Sequence, residues 1–375
     1  MKKLYRLDAW HKLLALRFKS LKWRHGVLIA LLILVTLTKM IPLWGFIYTT
    51  RIYPVIGTLL SPISGIFPFA VGDIFIAHSI AWVILYPIYE MGWRKKMVLG
   101  RVAEYLLWVY AWFYIAWGLN YSQPNIYYRI GMKPVEVSKA KFKKFAYQYA
   151  DSLNALSIAS LSNARKSISP DSIVDDALKN RVRDAVLKEY NKIGYREGIN
   201  KPFNQHPHAK TMVFTPLSSM AGVTGSMGPF FCEFTLNGDI LAHDYPATYA
   251  HEFAHFLGVA NEGEANFYSY IVCTASADKQ VRFSGYYHIF FHVLNNVYDI
   301  LGEKEGERFL KHIRPEIIQR ARNDRYYWLS KRCKALDAAQ DFIFELYLKG
   351  NHVAEGRKSY SGVIGLILAW EEKKK

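Results

Sequence analysis

Three apolar stretches in the first third of the chain, at about residues 27–48, 69–90 and 102–120, restrict the folds open to it. Each is long enough to cross roughly 30 Å of hydrocarbon. No water is available there to satisfy backbone groups, so each is expected to be a helix. The second and third carry aromatic residues at their ends, as interfacial belts do. After Tyr121 the pattern changes: Gln123-Pro124-Asn125 breaks the third stretch, and long apolar runs cease until near the C-terminus. The expected organisation is a basic segment over 1–26, a membrane domain over 27–120 and an extracytoplasmic domain over 121–375. A composition that is 51% hydrophobic, with 10 Trp, 26 Tyr and 22 Phe, excludes disorder.

The net charge of +17 would suit a nucleic-acid partner if the basic residues formed one patch, but their placement points to a bilayer. Residues 1–26 hold eight cations (Lys2, Lys3, Arg6, Lys12, Arg17, Lys19, Lys22 and Arg24) against Asp8, with Leu and aromatic residues between them. This is a basic amphipathic segment suited to an anionic membrane face. The apolar stretch that follows runs on through Lys39 and Pro42 without a small-residue cleavage site, so it reads as an uncleaved span. The first connection carries Arg51, whereas the second carries Arg94, Lys95, Lys96 and Arg101. The positive-inside rule then puts the N-terminus and the second connection in the cytoplasm, and three crossings put everything after Asn120 outside. Of the polar residues in or near the spans, Asp73 and Glu104 are close enough to the ends to reach water and Lys39 can snorkel. His78 is central, where a helix-to-helix hydrogen bond is expected ahead of a proton relay.

In the second part, apolar residues at helical spacing predict a helix over 135–163 with Ser138 as its cap, and another opening at Ser169-Pro170 and closing at Gly194. Residues 196–245 are rich in Gly, Pro, Ser and His, with β-type runs at Thr211–Thr215 and Phe230–Leu236. The second run ends in the turn signal Asn237-Gly238, which predicts a small sheet or hairpin. Further helices are expected at about 280–302, 305–334, 336–349 and 356–370. The expected fold class is mainly α with a small β element.

The chemistry concentrates in His251-Glu252-Phe253-Ala254-His255. Residues four apart share one helix face, so both imidazoles can bind one metal ion with Glu252 beside them. A catalytic zinc ion keeps one position for water, whose proton a neighbouring carboxylate can accept. Gly258 suits a helix end, and Asn261 suits the N-cap of a second helix beginning at Glu262. Glu262 and Asn266 then share a face, so the carboxylate can be the third ligand while the amide orients a histidine. Glu264 competes for that role, but as third residue of the helix it can reach back to the cap in a capping box. The expected set is therefore Zn2+ on His251, His255 and Glu262, with Glu252 as general base. His288 and His292 are also four apart, but lack a Glu after the first and are read as packing in an aromatic helix. His206, His208 and His243 are read as solvated. Tyr286, His288 and Tyr360 are possible oxyanion donors.

This segment resembles the zincins whose third ligand is a Glu on the next helix; their Glu-x-x-Ala-Asp/Asn signature corresponds to Glu262-Gly263-Glu264-Ala265-Asn266. It departs from the metzincins, which would have His or Asp in place of Asn261. The chain as a whole resembles the bacterial membrane proteins of domain-of-unknown-function family 3810. The resemblance rests on Phe67-Pro68-Phe69-Ala70-Val71-Gly72-Asp73, Trp117-Gly118-Leu119-Asn120-Tyr121, the motif region, and Tyr347-Leu348-Lys349 through Ser359-Tyr360. It implies a membrane-bound zinc peptidase of the bacterial inner membrane, with its catalytic domain outside and a peptide or protein as substrate. The resemblance to zincins implies that the strand before the motif helix is where substrate pairs, the alternative being a structural hairpin that contacts nothing.

The competing expectation is a non-enzymatic membrane protein in which zinc staples two helices and the soluble part binds a partner. A structural site is more often closed by four ligands including Cys. Cys232, Cys273 and Cys333 have no zinc-ligand spacing, and their odd number allows at most one disulfide. A transporter is poorly served by three spans.

Overall fold

The computed structural model describes residues 23–90, 95–135, 138–164, 174–350 and 362–374. The basic segment up to residue 22, Arg94, the Ser169-Pro170 helix start and Tyr360 lie outside them.

The first helix, α1 (Trp23–Met40), stops earlier than its apolar run. Pro42 disfavours helical backbone at Ile41, which is extended (φ −113°, ψ 102°). The end of the expected first span and the connection after it form α2 (Pro42–Ile47), a π-helical turn (Tyr48–Ile52) and α3 (Tyr53–Gly65). Then come α4 (Val71–Glu90) and α5 (Lys95–Ala116). Among the described residues two helices, α1 and α4, are long and apolar enough to cross a membrane, not the three expected. The third stretch falls in α5, where Lys96, Arg101 and Glu104 within its first ten residues dilute the apolar character. These charges meet the neighbouring helices: Arg24 pairs with Glu104 at 2.8 Å, and Arg101 Nη1 donates to Tyr86 OH at 2.7 Å. Ser79 bonds Tyr105 at 2.7 Å, so α4 and α5 are antiparallel. Lys39 donates to Tyr114 OH at 3.1 Å, which together with Arg24–Glu104 makes α1 and α5 parallel. His78 is exposed on α4, and no helix-to-helix hydrogen bond of it is seen among the described residues.

A short 3-10 turn (Gly118–Ser122) and α6 (Ile126–Arg129) lead to α7 (Lys139–Ala164), where Ser138 Oγ accepts from Lys141 N. The helix α8 (Asp176–Ile193) opens on the cap Asp175, later than expected, and ends at Gly194 with φ +42°. The sheet has the order β1 (Lys210–Thr211), β3 (Glu233–Leu236), β2 (Gly225–Gly228), with α9 (Thr215–Met220) between β1 and β2. Strand β1 is shorter than the run Thr211–Thr215 suggested, because Pro216 starts a helix. The partner β2, Gly-Ser-Met-Gly, has no β-type composition and was not foreseen. It pairs antiparallel with β3 through a turn at 229–232, so Asn237-Gly238 follows the hairpin rather than closing it.

The remaining helices are α10 (Tyr245–Phe256), α11 (Glu262–Ala275), α12 (Lys279–His288), α13 (Phe290–Leu301), α14 (Glu303–His312), α15 (Pro315–Lys331), α16 (Lys334–Gly350) and α17 (Val363–Lys373). The expected helices 280–302 and 305–334 are each divided. The apolar C-terminal run is the buried helix α17, whose Trp370 ring packs edge-on to Phe267 of α11. All three cysteines are free thiols.

Helix α10 is at the centre: every one of its residues is buried. Phe253 and Phe256 stack on each other and meet Phe234 of β3, so the motif helix is fixed to the sheet by aromatic packing. Lys210 holds the sheet to the start of α4, donating to Ser64 O, Phe69 O and Glu233 Oε2. Glu233 Oε1 accepts from Gly72 N. All three Lys210 donors have acceptors, which offsets the cost of burying the charge.

Candidate metal centre and cleft

Helix α10 ends in a Schellman turn, with Gly258 N donating to His255 O at 2.9 Å and Val259 N to Ala254 O at 3.1 Å. The turn needs Gly258 at φ +96°, and a Cβ there would press on Tyr53 and Asn120. It carries Val259 O back over the helix, where it accepts from His255 Nδ1 at 2.6 Å. Two residues later Asn261 caps α11, its Oδ1 accepting from Glu264 N at 3.0 Å. Glu262 is thus the first residue of α11 and faces the two histidines.

His251, His255 and Glu262 converge: each offers an atom within 4.8 Å of the others'. His251 Nε2 lies 3.1 Å from Glu262 Oε2 and 3.1 Å from His255 Nε2, and His255 Nε2 is 3.5 Å from the same carboxylate oxygen. His251 Nδ1 donates to Asn266 Oδ1 at 2.8 Å. With both Nδ1–H groups committed, both Nε2 lone pairs point at each other and at a carboxylate. Three acceptors in contact need a cation between them, either a proton or a metal ion. Burial pushes the His255 imidazole down, but Glu262 outweighs it and holds it up, to about 9, which expresses the same demand. The donor set and its backing by Asn266 and Val259 fit a zinc-type ion.

Glu264 points away from this centre. Its Oε1 accepts from Ile126 N at 2.9 Å and its Oε2 pairs with Arg129 at 2.6 Å, both side chains being buried. It has a structural role, as expected, but with α6 rather than with its own cap.

Glu252 is buried beside the histidines, and β2 closes over it: a Cβ on Gly225 would lie 2.7 Å from Glu252 Cγ. Burial raises the Glu252 carboxyl, the two histidines oppose that, and Glu262 adds to it, leaving it above its ordinary range.

These residues line a cleft of about 620 Å3. One wall is β2, an edge strand. Thr224 O accepts from Asn237 N, and the antiparallel alternation then turns the N–H and C=O of Gly225 and Met227 toward the free edge. The opposite walls include Thr248, His288 and His292. The last two were read from sequence as packing, and their i, i+4 spacing was the available signal. His288 Nε2 donates to Asn266 Oδ1 at 2.9 Å, and burial, with His251 adding, pushes its pKa down to about 3, so it is neutral. Tyr286 turns elsewhere, its ring packing on Tyr149 and Tyr270. His206 and His208 are exposed, whereas His243 is not solvated as expected: it meets Asp324 at 2.9 Å and Asp244 at 3.7 Å.

Residues from earlier in the chain complete the site. Tyr53 OH donates to Phe256 O at 2.7 Å, Trp117 Nε1 to His255 O at 3.0 Å, and Gln123 Nε2 to Gly258 O at 2.7 Å. Asn200 Nδ2 takes Leu257 O at 2.9 Å. Four successive carbonyls at the end of α10 are thereby bonded to side chains outside it.

The family described as "Protein of unknown function (DUF3810)" matches residues 48–368. The chain belongs to this family. The match begins in the π-helical turn beneath α10 and ends in α17, so it takes in His251, His255, Glu262 and the helices that brace them. No curated protein and no solved structure matches the chain.

Proposed function

We infer that this DUF3810 protein is a membrane-anchored zinc-dependent peptidase acting on the extracytoplasmic side of the bacterial inner membrane. The observation that carries the reading is the convergence of His251, His255 and Glu262 on an open cleft with Glu252 beside them. A zinc ion held by these three would lower the pKa of an attacking water and polarise the scissile carbonyl. Glu252 takes the proton of that water and returns it to the leaving amine. Its raised carboxyl suits both steps. The free edge of β2 holds the peptide extended, through the main-chain groups of Gly225 and Met227. Asn266 and Val259 keep the ligand imidazoles in the tautomer that presents Nε2. The orientation is supported by the cations of residues 1–26 and by the course of α5, which runs antiparallel to α4 and parallel to α1 and so brings the chain back to the face where α1 ends.

The alternative is a structural zinc site in a partner-binding protein. Three ligand atoms at a cleft, rather than four in a closed shell, favour catalysis. Zinc content of the detergent-purified protein and the new N-termini it releases from a peptide library separate the two. The expected result is one zinc per chain and cleavage that falls at least about 10²-fold in Glu252→Gln with zinc retained. Zinc without cleavage would leave the structural alternative.

A further inference from the structure

The metal cleft and the membrane helices share side chains. Ser79 with Tyr105 and Tyr86 with Arg101 fix the antiparallel register of α4 and α5, and this places Phe113 level with Val71, at the start of the apolar helix α4. That end is one face of the bilayer, since α4 at 20 residues spans about 30 Å. Phe113, Trp117 and Phe230 all line the cleft, and Phe230 at the β2–β3 turn packs on Phe75 of α4 at 4.8 Å.

The helical run Pro42–Gly65 joins the end of α1 to the start of α4, so both its ends lie at that same face. Its inner side holds the soluble part, through Tyr53 on Phe256 and Ser61 on Asn204. Its outer side exposes Leu43, Ile47, Val55, Leu59 and Ile63. A helix polar-bonded on one side and apolar on the other, between two spans, lies along a bilayer surface. The end of α10 rests on it, so the metal centre stands roughly one helix diameter, about 10 Å, above the lipid.

We propose that the cleft takes the juxtamembrane segment of a membrane-anchored polypeptide, seating an apolar side chain against Phe113, Trp117, Met227 and Phe230. The proposal rests on the peptidase reading of this site. The free main-chain groups of Gly225 and Met227 call for a peptide backbone, which a lipid chain cannot supply, and the apolar wall stands at the bilayer surface. An extended residue covers about 3.5 Å, so about three residues suffice to reach a centre about 10 Å above the lipid, and a short connection to the anchor gives the bound segment its highest local concentration.

The test uses full-length protein in phosphatidylglycerol/phosphatidylethanolamine vesicles, with a benzophenone amino acid at position 227 and Glu252→Gln to prevent turnover. The probes are one apolar span followed by a Leu-Phe pair about 6 or about 30 residues away, and the same segment without a span. We expect cross-linking of the near probe to exceed both others by at least about tenfold, and replacement of Leu-Phe by Ser-Ser to abolish the difference. Equal yields at the two spacings, equal capture of the untethered segment, or adducts with lipid alone would overturn the proposal. Cleavage by the zinc-loaded chain that keeps Glu252, in the same vesicles, is scored separately. Selective capture without cleavage keeps the docking site and removes the peptidase reading. Indifferent cleavage of all probes keeps the peptidase and removes the juxtamembrane substrate.

Discussion

Tyr53 donates its hydroxyl to the main-chain oxygen of Phe256 at 2.7 Å, and both residues are almost wholly buried. The bond ties α3 to the last turn of the motif helix, 203 positions away. Tyr53→Phe keeps the ring packing but leaves a buried carbonyl without this donor, so it should cost about 1–3 kcal/mol. Thermal unfolding in detergent checks this; an unchanged midpoint would mean that the two parts are not coupled through this bond.

Glu262 and Glu264 are two residues apart and do different work. Glu262→Ala should lose most of the bound zinc with the fold retained, because one of three converging donors is gone. Glu264→Ala should keep the zinc but destabilise by about 3–5 kcal/mol, since it leaves Arg129 buried without its carboxylate. Zinc per mole and unfolding midpoint for both variants give a two-by-two result, and the reverse pattern would exchange the assignments.

Asn266 Oδ1 accepts from both His251 and His288, and so fixes the tautomer of a ligand and the position of a cleft residue together. Asn266→Ala should weaken metal binding about 10–100-fold. Competition with a chromogenic chelator measures this directly. Affinity equal to that of the unsubstituted protein would show that Val259 and helix packing suffice to orient the pair.

The motif region was legible because its information is local. Helix spacing, the Gly258 stop and the Asn261 cap all act within a few residues, and they place Glu262 where the structure has it. What was not legible depends on distant partners. Glu264 finds Ile126 and Arg129, more than a hundred positions away, so its capping-box expectation failed. Strand β2 carries no β-type residues; its pairing comes from β3, and its glycines leave room for Glu252. The run Pro42–Gly65 was divided between the first span and the connection after it, because its two faces, apolar on one side and bearing tyrosines and serines on the other, are told apart only by the soluble part that covers one of them. The third apolar stretch was assigned as a span from its later residues alone, without the charges that open its helix.

His243 sits against Asp324, Asp244 and Tyr287, with Arg320 close by. Burial would lower its pKa, but Asp244 and Asp324 together raise it. Burial raises that of Asp244. A raised folded-state pKa means stability that is fully present below the unfolded value and lost as pH rises through the folded one. For His243 the loss therefore begins above about 6.5. The intact protein should unfold at a lower temperature at pH 8.5 than at pH 6, and His243→Gln should flatten that slope. An unaltered slope in the variant would assign the pH dependence elsewhere.

Gly225 lies against the Glu252 side chain, and both line the cleft. A methyl group there would overlap Glu252 Cγ, and because Glu252 is buried the side chain cannot simply swing into solvent. Gly225→Ala should thus displace the base while leaving His251, His255 and Glu262 in place. The expected result is unchanged zinc content, a stability loss of about 1–3 kcal/mol from the overlap, and a fall in kcat of about 10²-fold, comparable to losing a positioned base. A loss confined to KM would instead mean that the methyl blocks the peptide on the β2 edge and that Glu252 has kept its position.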